Sequence, residues 1–301
     1  MIYTVTLNPS LDYVMEYDSF DIGGLNRAKG VQITAGGKGI NVSKVLTGLG
    51  VDNLILGFVG GFTGDEIERS LCHEGCKTEF IRLDAGLSRI NVKVCSGGVT
   101  ELNAPGPEIN RNAIEKLEKQ LDGLQKGDFL VLAGNIPEGV PEFIYSLITD
   151  KMNKKGVNTI VDTSQQALAS VLSVTPFLVK PNRQELGELF STRITNPETA
   201  AKYAVQLKEK GARNVLVSLD CEGAVLVTEN DEVLYQPAIE GKAINPVGAG
   251  DSVVAGFLWG LTKTGNFKDA LKCGVCAGCA SAFSGRIATG ADIRALWGLM
   301  A

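Results

Sequence analysis

The chain has 301 residues, 44% of them hydrophobic and 21% charged, which is enough for a large buried core and is the balance of an ordinary globular protein. Its net charge of −5, with no Lys/Arg run, excludes general nucleic-acid binding, which needs a basic face. No apolar window reaches the roughly 20 residues needed to cross a bilayer.

The N-terminus, MIYTVTLNPS, has no basic leader and reads directly as a strand over 2–7 rather than as a secretory signal. Residues 13–17 and 30–34 read as extended, with no helix between them. Glycines then open a helix over 39–49, with apolar Val42, Val45, Leu46 and Leu49 on one face, and a strand follows at 54–59. The sole histidine, His73, sits near the end of a helix before Gly75. One histidine leaves no room for a His-based dyad or zinc site. Residues 89–94 and 99–103 form a second extended pair around a tight turn in SGGVT, 96–100. Strands at 129–132, 159–161 and 177–179 lead to a helix over 198–210 with Ala200, Tyr203, Ala204 and Leu207 on one face. Strands at 215–218 and 224–227 come next. Alternation of strand and helix predicts an α/β protein with a mainly parallel sheet covered on both faces and its ligands at the carboxyl ends of the strands. The two early extended pairs break that rhythm and predict a small second sheet, placed as a lid.

The last third carries NPVGAGDSVVAGF, 245–257. Val254, Phe257, Leu258 and Leu261 have helical spacing, so Gly248, Ala249 and Gly250 strip side chains from a helix start and leave one carboxylate, Asp251. Bare N–H groups at a helix start favour phosphate, and the carboxylate can take a proton from an attacking hydroxyl. The plainer alternative is that Asp251 only caps the helix. Earlier, AGGKGINV, 35–42, is not a P-loop, because Gly39 stands at the Ser/Thr position. It does offer Lys38 and approachable backbone to an anion, or else it is a mere turn. Cys273, Cys276 and Cys279 form C-x-x-C-x-x-C, but Phe283 and Ser284 stand where a cluster-binding run wants Cys and Pro. A closely packed helix of small residues is the better reading, and the free thiols fit a reducing cytoplasm.

NPSLDY, GGKGINV, KPNRQEL and NPVGAGD together, in this order and spacing, resemble the ribokinase-like sugar kinase family over essentially the whole chain. Within its phosphosugar branch the chain looks most like the 1-phosphofructokinases, on GGKGINVSK, SRINVKV, KPNRQELGEL and GAGDSVVAGF. The resemblance implies one kinase domain over 1–301 with a three-layer α/β/α fold, a mainly parallel central sheet and lid strands from about 12–35 and 88–104. It implies ATP and Mg²⁺ as cosubstrate and cofactor, and transfer to O6 of fructose 1-phosphate, with tagatose 6-phosphate or fructose 6-phosphate taken on O1 as the alternative. A non-catalytic sugar-phosphate sensor is a further alternative that an intact Asp251 disfavours. By resemblance, Asp251 is the base, and Gly248, Ala249 and Gly250 form the anion hole. Asp12 binds sugar hydroxyls, Gly37, Lys38 and Asn41 hold the sugar's phosphate end with Arg89 as the second phosphate cation beside Lys38, and Glu101 and Asn103 read the sugar from the lid. Lys180, Asn182, Glu185, Ser218 and Gly223 face the nucleotide, Glu185 reaching Mg²⁺ through water. The family's common Asp-Thr before the anion hole is replaced by Asn245-Pro246, and AGNIPEGV has Asn135 where Ser is common. A homodimer through the lid sheet is also implied.

Overall fold

Burial on both faces fixes the central strands. In β1 (Ile2–Thr6) only Tyr3 is not fully buried, which is the pattern of a strand with a layer on each side. The computed structural model describes residues 1–163 and 165–299. In chain order it holds β1, β2 (Ser10–Glu16), β3 (Gly30–Gly36), α1 (Lys38–Gly48), β4 (Asn53–Val59), α2 (Gly61–His73), β5 (Thr78–Arg82), β6 (Arg89–Cys95) and β7 (Val99–Asn103). These are followed by α3 (Arg111–Leu121), β8 (Phe129–Ala133), α4 (Ile144–Lys155), β9 (Asn158–Asp162), α5 (Gln165–Leu172), β10 (Leu178–Val179), α6 (Arg183–Leu189) and α7 (Pro197–Glu209). The chain finishes with β11 (Asn214–Ser218), β12 (Ala224–Val227), β13 (Val233–Gln236), α8 (Ala249–Thr264), α9 (Phe267–Phe283) and α10 (Gly290–Gly298).

The main sheet has nine strands in the order β13-β12-β11-β10-β9-β8-β1-β4-β5. Every pairing is parallel except β11–β12 and β12–β13. One face packs Leu117, Leu121, Ile148, Met152, Leu168, Leu186 and Leu207, from α3 to α7. The other packs Val45, Leu46, Val254, Phe257, Leu271 and Ile293, from α1, α8, α9 and α10. This is the expected three-layer α/β/α arrangement. The second sheet is also present: β3-β2-β6-β7, with β2–β3 and β6–β7 antiparallel and β2–β6 parallel.

The cysteine-bearing stretch is α9, packed on α8 through glycines. A β-carbon on Gly256 would lie 2.4 Å from the Cys273 carbonyl oxygen, and one on Gly278 would lie 2.6 Å from Val253. Burial pushes the Cys273 and Cys276 thiols up to about 11 and about 12, the opposite of what a metal ligand needs. Cys279 Sγ accepts a hydrogen bond from the Ile239 N–H. His73 ends α2 and is exposed.

Candidate active site

Helix α8 begins at the carboxyl edge of the main sheet. Its N-cap is Gly248, in the left-handed region at φ 78, where a β-carbon would also lie 2.0 Å from Ile287 Cδ1. Asp251 is therefore the third residue inside the helix and not its cap, which removes the plainer reading of that carboxylate. Its Oδ2 instead accepts a 2.7 Å hydrogen bond from Asn41 Nδ2, across 210 residues of sequence. The N–H groups of the expected anion hole differ in what they meet. The Ala249 N–H donates to the Pro246 carbonyl at 3.1 Å. That leaves the N–H groups of Gly248, Gly250 and Asp251 without a backbone acceptor among the described residues.

A second buried carboxylate, Asp162, stands at the end of β9 and is 1% exposed. Sequence reasoning missed it, although it ends an apolar strand at the sheet's carboxyl edge, where ligands are expected. Lys38 Nζ donates to its Oδ1 at 2.8 Å, and Lys180 Nζ stands 3.2 Å from its Oδ2. Burial pushes the Asp251 carboxyl up, and the charge of Asp162 pushes it further, to about 6; the Asn41 hydrogen bond and the Lys38 and Lys180 ammoniums resist. Burial would raise Asp162 too, but Lys180 and Lys38 outweigh it and hold that carboxyl below its ordinary value. For Lys38 burial acts downward, and Asp162 overcomes it and holds the ammonium charged. Lys180 also lies beneath the start of α8, since a β-carbon on Gly250 would come 3.3 Å from its Nζ.

The nucleotide-facing residues expected from the sequence come together beside this cluster. Asn182 caps α6 and shares a capping box with Glu185: the Glu185 N–H donates to Asn182 Oδ1, and the Asn182 N–H donates to Glu185 Oε2, both at 2.8 Å. Asn182 bridges in parallel to Ser218 at the end of β11. Gly223 closes the turn after it at φ 95, where any side chain would collide with the Gln236 carbonyl.

The small sheet gathers the rest. Alternation along β2, β6 and β7 puts Ser10, Asp12, Arg89, Asn91, Lys93, Glu101 and Asn103 on one face, with Asp12, Asn91 and Asn103 in a single cross-strand row. Asp12 packs against the bare backbone of Gly36, where a β-carbon would be 2.7 Å from the carboxylate. Gly37, the N-cap of α1, then turns the chain so that Lys38 points to Asp162. Arg89 Nε donates to the Asn8 carbonyl at 3.1 Å; burial lowers its guanidinium, while Asp12 and Glu101 oppose that. The sequence expectation paired Lys38 with Arg89 as two cations on one phosphate. In the structure Lys38 is engaged with Asp162, on the Asp251 side, and that charge compensates its burial. Lys93, Asn91, Ser10 and Asp162 were not singled out from sequence; the alternation of SRINVKV with Arg89 was the available signal for Asn91 and Lys93.

The pattern of the pfkB family carbohydrate kinases matches residues 5–292. The chain belongs to that family. It is 45% identical to the 1-phosphofructokinase of Bacillus subtilis over 289 residues, which covers 96% of this chain and 95% of that one. It is 34% identical to the D-tagatose-1-phosphate kinase of Bacillus licheniformis, over 94% of this chain and 93% of that protein. The crystal structure of phosphofructokinase-2 from Escherichia coli in complex with substrates and products superposes with a TM-score of 0.93 at 29% identity, covering 99% of this chain and 98% of that one. The chain is thus a sugar-phosphate kinase with a ribokinase-like fold, and kinase chemistry makes ATP its cosubstrate. Among the described residues no helix is long and apolar enough to cross a membrane.

Proposed function

We propose that this kinase transfers the γ-phosphoryl of ATP to O6 of fructose 1-phosphate. The observation that carries the proposal is Asp251: a buried carboxylate, raised to about 6, at a helix start whose N–H groups of Gly248, Gly250 and Asp251 face no backbone acceptor. Two relatives, a 1-phosphofructokinase and a D-tagatose-1-phosphate kinase, support a phosphate on C1.

In this reading the sugar lies between the small sheet and α8. Arg89 anchors the C1 phosphate, since a planar guanidinium matches phosphate oxygens bidentately. Asp12, with Glu101 and Asn103, receives the sugar hydroxyls. O6 then lies at Asp251, which takes its proton as the phosphoryl moves in line. The free N–H groups at α8 and the Lys38 and Lys180 ammoniums hold the charge that spreads over the transferring group. Lys38 therefore serves the transferring phosphoryl rather than the resident phosphate.

Magnesium, when bound with ATP, neutralises charge on the β- and γ-phosphates. Glu185 and Asn182 would hold it through water: one Glu185 oxygen is used by the capping box, and the other accepts no hydrogen bond among the described residues. Among the described residues no group of three or more His, Cys, Asp or Glu could form a metal site of its own. That donor set fits an ion that keeps its waters and binds mainly through substrate phosphates.

The four-stranded sheet works as a lid that excludes water, and its apolar outer face pairs two copies into a homodimer. Seven free cysteines support a reducing, cytoplasmic setting. The direct test is Asp251→Asn. The expected result is a fall in kcat of about 10²–10⁴-fold with KM for MgATP little changed. Near-normal turnover in that variant would remove Asp251 as the base.

A further inference from the structure

The Asp12 carboxylate is almost fully spoken for inside the protein. Its Oδ1 accepts from Ser10 Oγ at 2.7 Å and from Asn91 Nδ2 at 3.4 Å, and its Oδ2 accepts from Lys93 Nζ at 2.8 Å. A carboxylate offers about four lone-pair directions. Three are taken, so one remains, on the oxygen that Lys93 holds. Gly36 closes the opposite side, because nothing larger than its hydrogen fits against the carboxylate. The side chains of Asp12 and Lys93 are only 13% and 14% exposed, so each is the other's main compensation for lost water. Lys93 stands on β6 four residues from Arg89, on the same face, and opposite Glu101 of β7.

We infer that Lys93 is a positioning residue for sugar recognition: it fixes the direction of the one acceptor position that Asp12 has left, and so decides which sugar hydroxyl that carboxylate can receive. The inference rests on the reading of Asp12 as the sugar-facing carboxylate. Without Lys93 the carboxylate keeps two neutral donors, is free to turn on its own Oδ1 contacts, and repels the incoming sugar phosphate. With it, the pair is neutral and Arg89 is left as the unshared cation for that phosphate.

The test is steady-state kinetics of Lys93→Met, Lys93→Arg, Asp12→Asn and the double variant Asp12→Asn/Lys93→Met, with fructose 1-phosphate and MgATP varied in turn. The expected result for Lys93→Met is a rise of about tenfold or more in KM for the sugar phosphate, with KM for MgATP within about twofold. Lys93→Arg recovers most of the loss. In the Asp12→Asn background, Lys93→Met adds less than about threefold, because the two residues act as one unit. If Lys93→Met folds poorly, Lys93→Gln is measured in its place. Equal effects on both substrates, or losses that multiply in the double variant, would overturn the inference and make Lys93 a general structural residue. If Asp12→Asn raises the sugar-phosphate KM and Lys93→Met does not, only the role of Lys93 falls. If Asp12→Asn changes nothing, the reading of Asp12 falls and the role of Lys93 falls with it.

Discussion

A carboxyl with a pKa near 6 is mostly ionised at neutral pH yet still basic enough to share a proton with an alcohol in flight, and burial beside Asp162 gives Asp251 that value. As the base we propose, Asp251 acts in its ionised form, so kcat/KM should fall as pH drops through about 6; a profile flat to well below that value would contradict that role. The same shift sets a stability trend. The folded pKa is raised above the ordinary 3.8, so the folded state binds this proton more tightly than the unfolded one. The resulting stabilisation is fully present below the ordinary pKa and is lost as pH rises through about 6. Asp251→Asn escapes that loss, so its Tm should exceed that of the parent at about pH 8, with the gap closing at acid pH. A variant less stable at both pH values would show that the charged carboxylate is not under strain. Asp251 was legible in the sequence because glycines and a carboxylate at a helix start form a local pattern. Asp162 was not, because its lysine partner Lys38 lies 124 residues away and only the folded sheet brings them together.

Helices and strands with strong period were legible from one-dimensional pattern. The helix expected over 39–49 is Lys38–Gly48, and that over 198–210 is Pro197–Glu209, each starting and ending one residue earlier. β5 and β13 were missed. Both are edge strands with mixed exposure; β5 mixes charged with apolar residues, and β13 offers only the three-residue run Val233–Tyr235, set between polar residues. The strand expected over 177–179 is reduced to Leu178–Val179, and β2 begins at Ser10, where a start at residue 13 was expected. The α8–α9 contact was foreseen only as a helix of small residues packed on a neighbour. Its partner and its consequence come from the structure. Gly256→Ala should lower stability by about 1–3 kcal/mol, since the added carbon meets the backbone carbonyl of Cys273, which cannot turn away. A shift of the urea midpoint upward would mean that the gain in helix propensity outweighs the clash. Because α8 also presents Asp251 and the free N–H groups, kcat should fall along with stability.

Across the whole molecule, the main sheet is finished on both faces, while the small one is not. Its face opposite Asp12 carries the row Ile33, Tyr13, Val92 and Leu102, and Ile33 and Leu102 are 48% and 56% exposed. An apolar row of that kind calls for a cover, and in the homodimer we propose a second copy of the same sheet supplies it. Light scattering should therefore give twice the chain mass, and Ile33→Asp with Leu102→Asp should give the single-chain mass. A parent protein that is monomeric at micromolar concentration would contradict the dimer.

The identity of the sugar is the claim on which the remaining roles depend, because it decides which end faces Arg89 and which faces Asp251. The most direct measurement is kcat/KM with MgATP for fructose 1-phosphate, tagatose 6-phosphate and fructose 6-phosphate, side by side. The expected result is a preference of at least about tenfold for fructose 1-phosphate, or about 1.4 kcal/mol of transition-state discrimination. A preference for either 6-phosphate would reverse the sugar in the site and contradict the placing of its phosphate at Arg89.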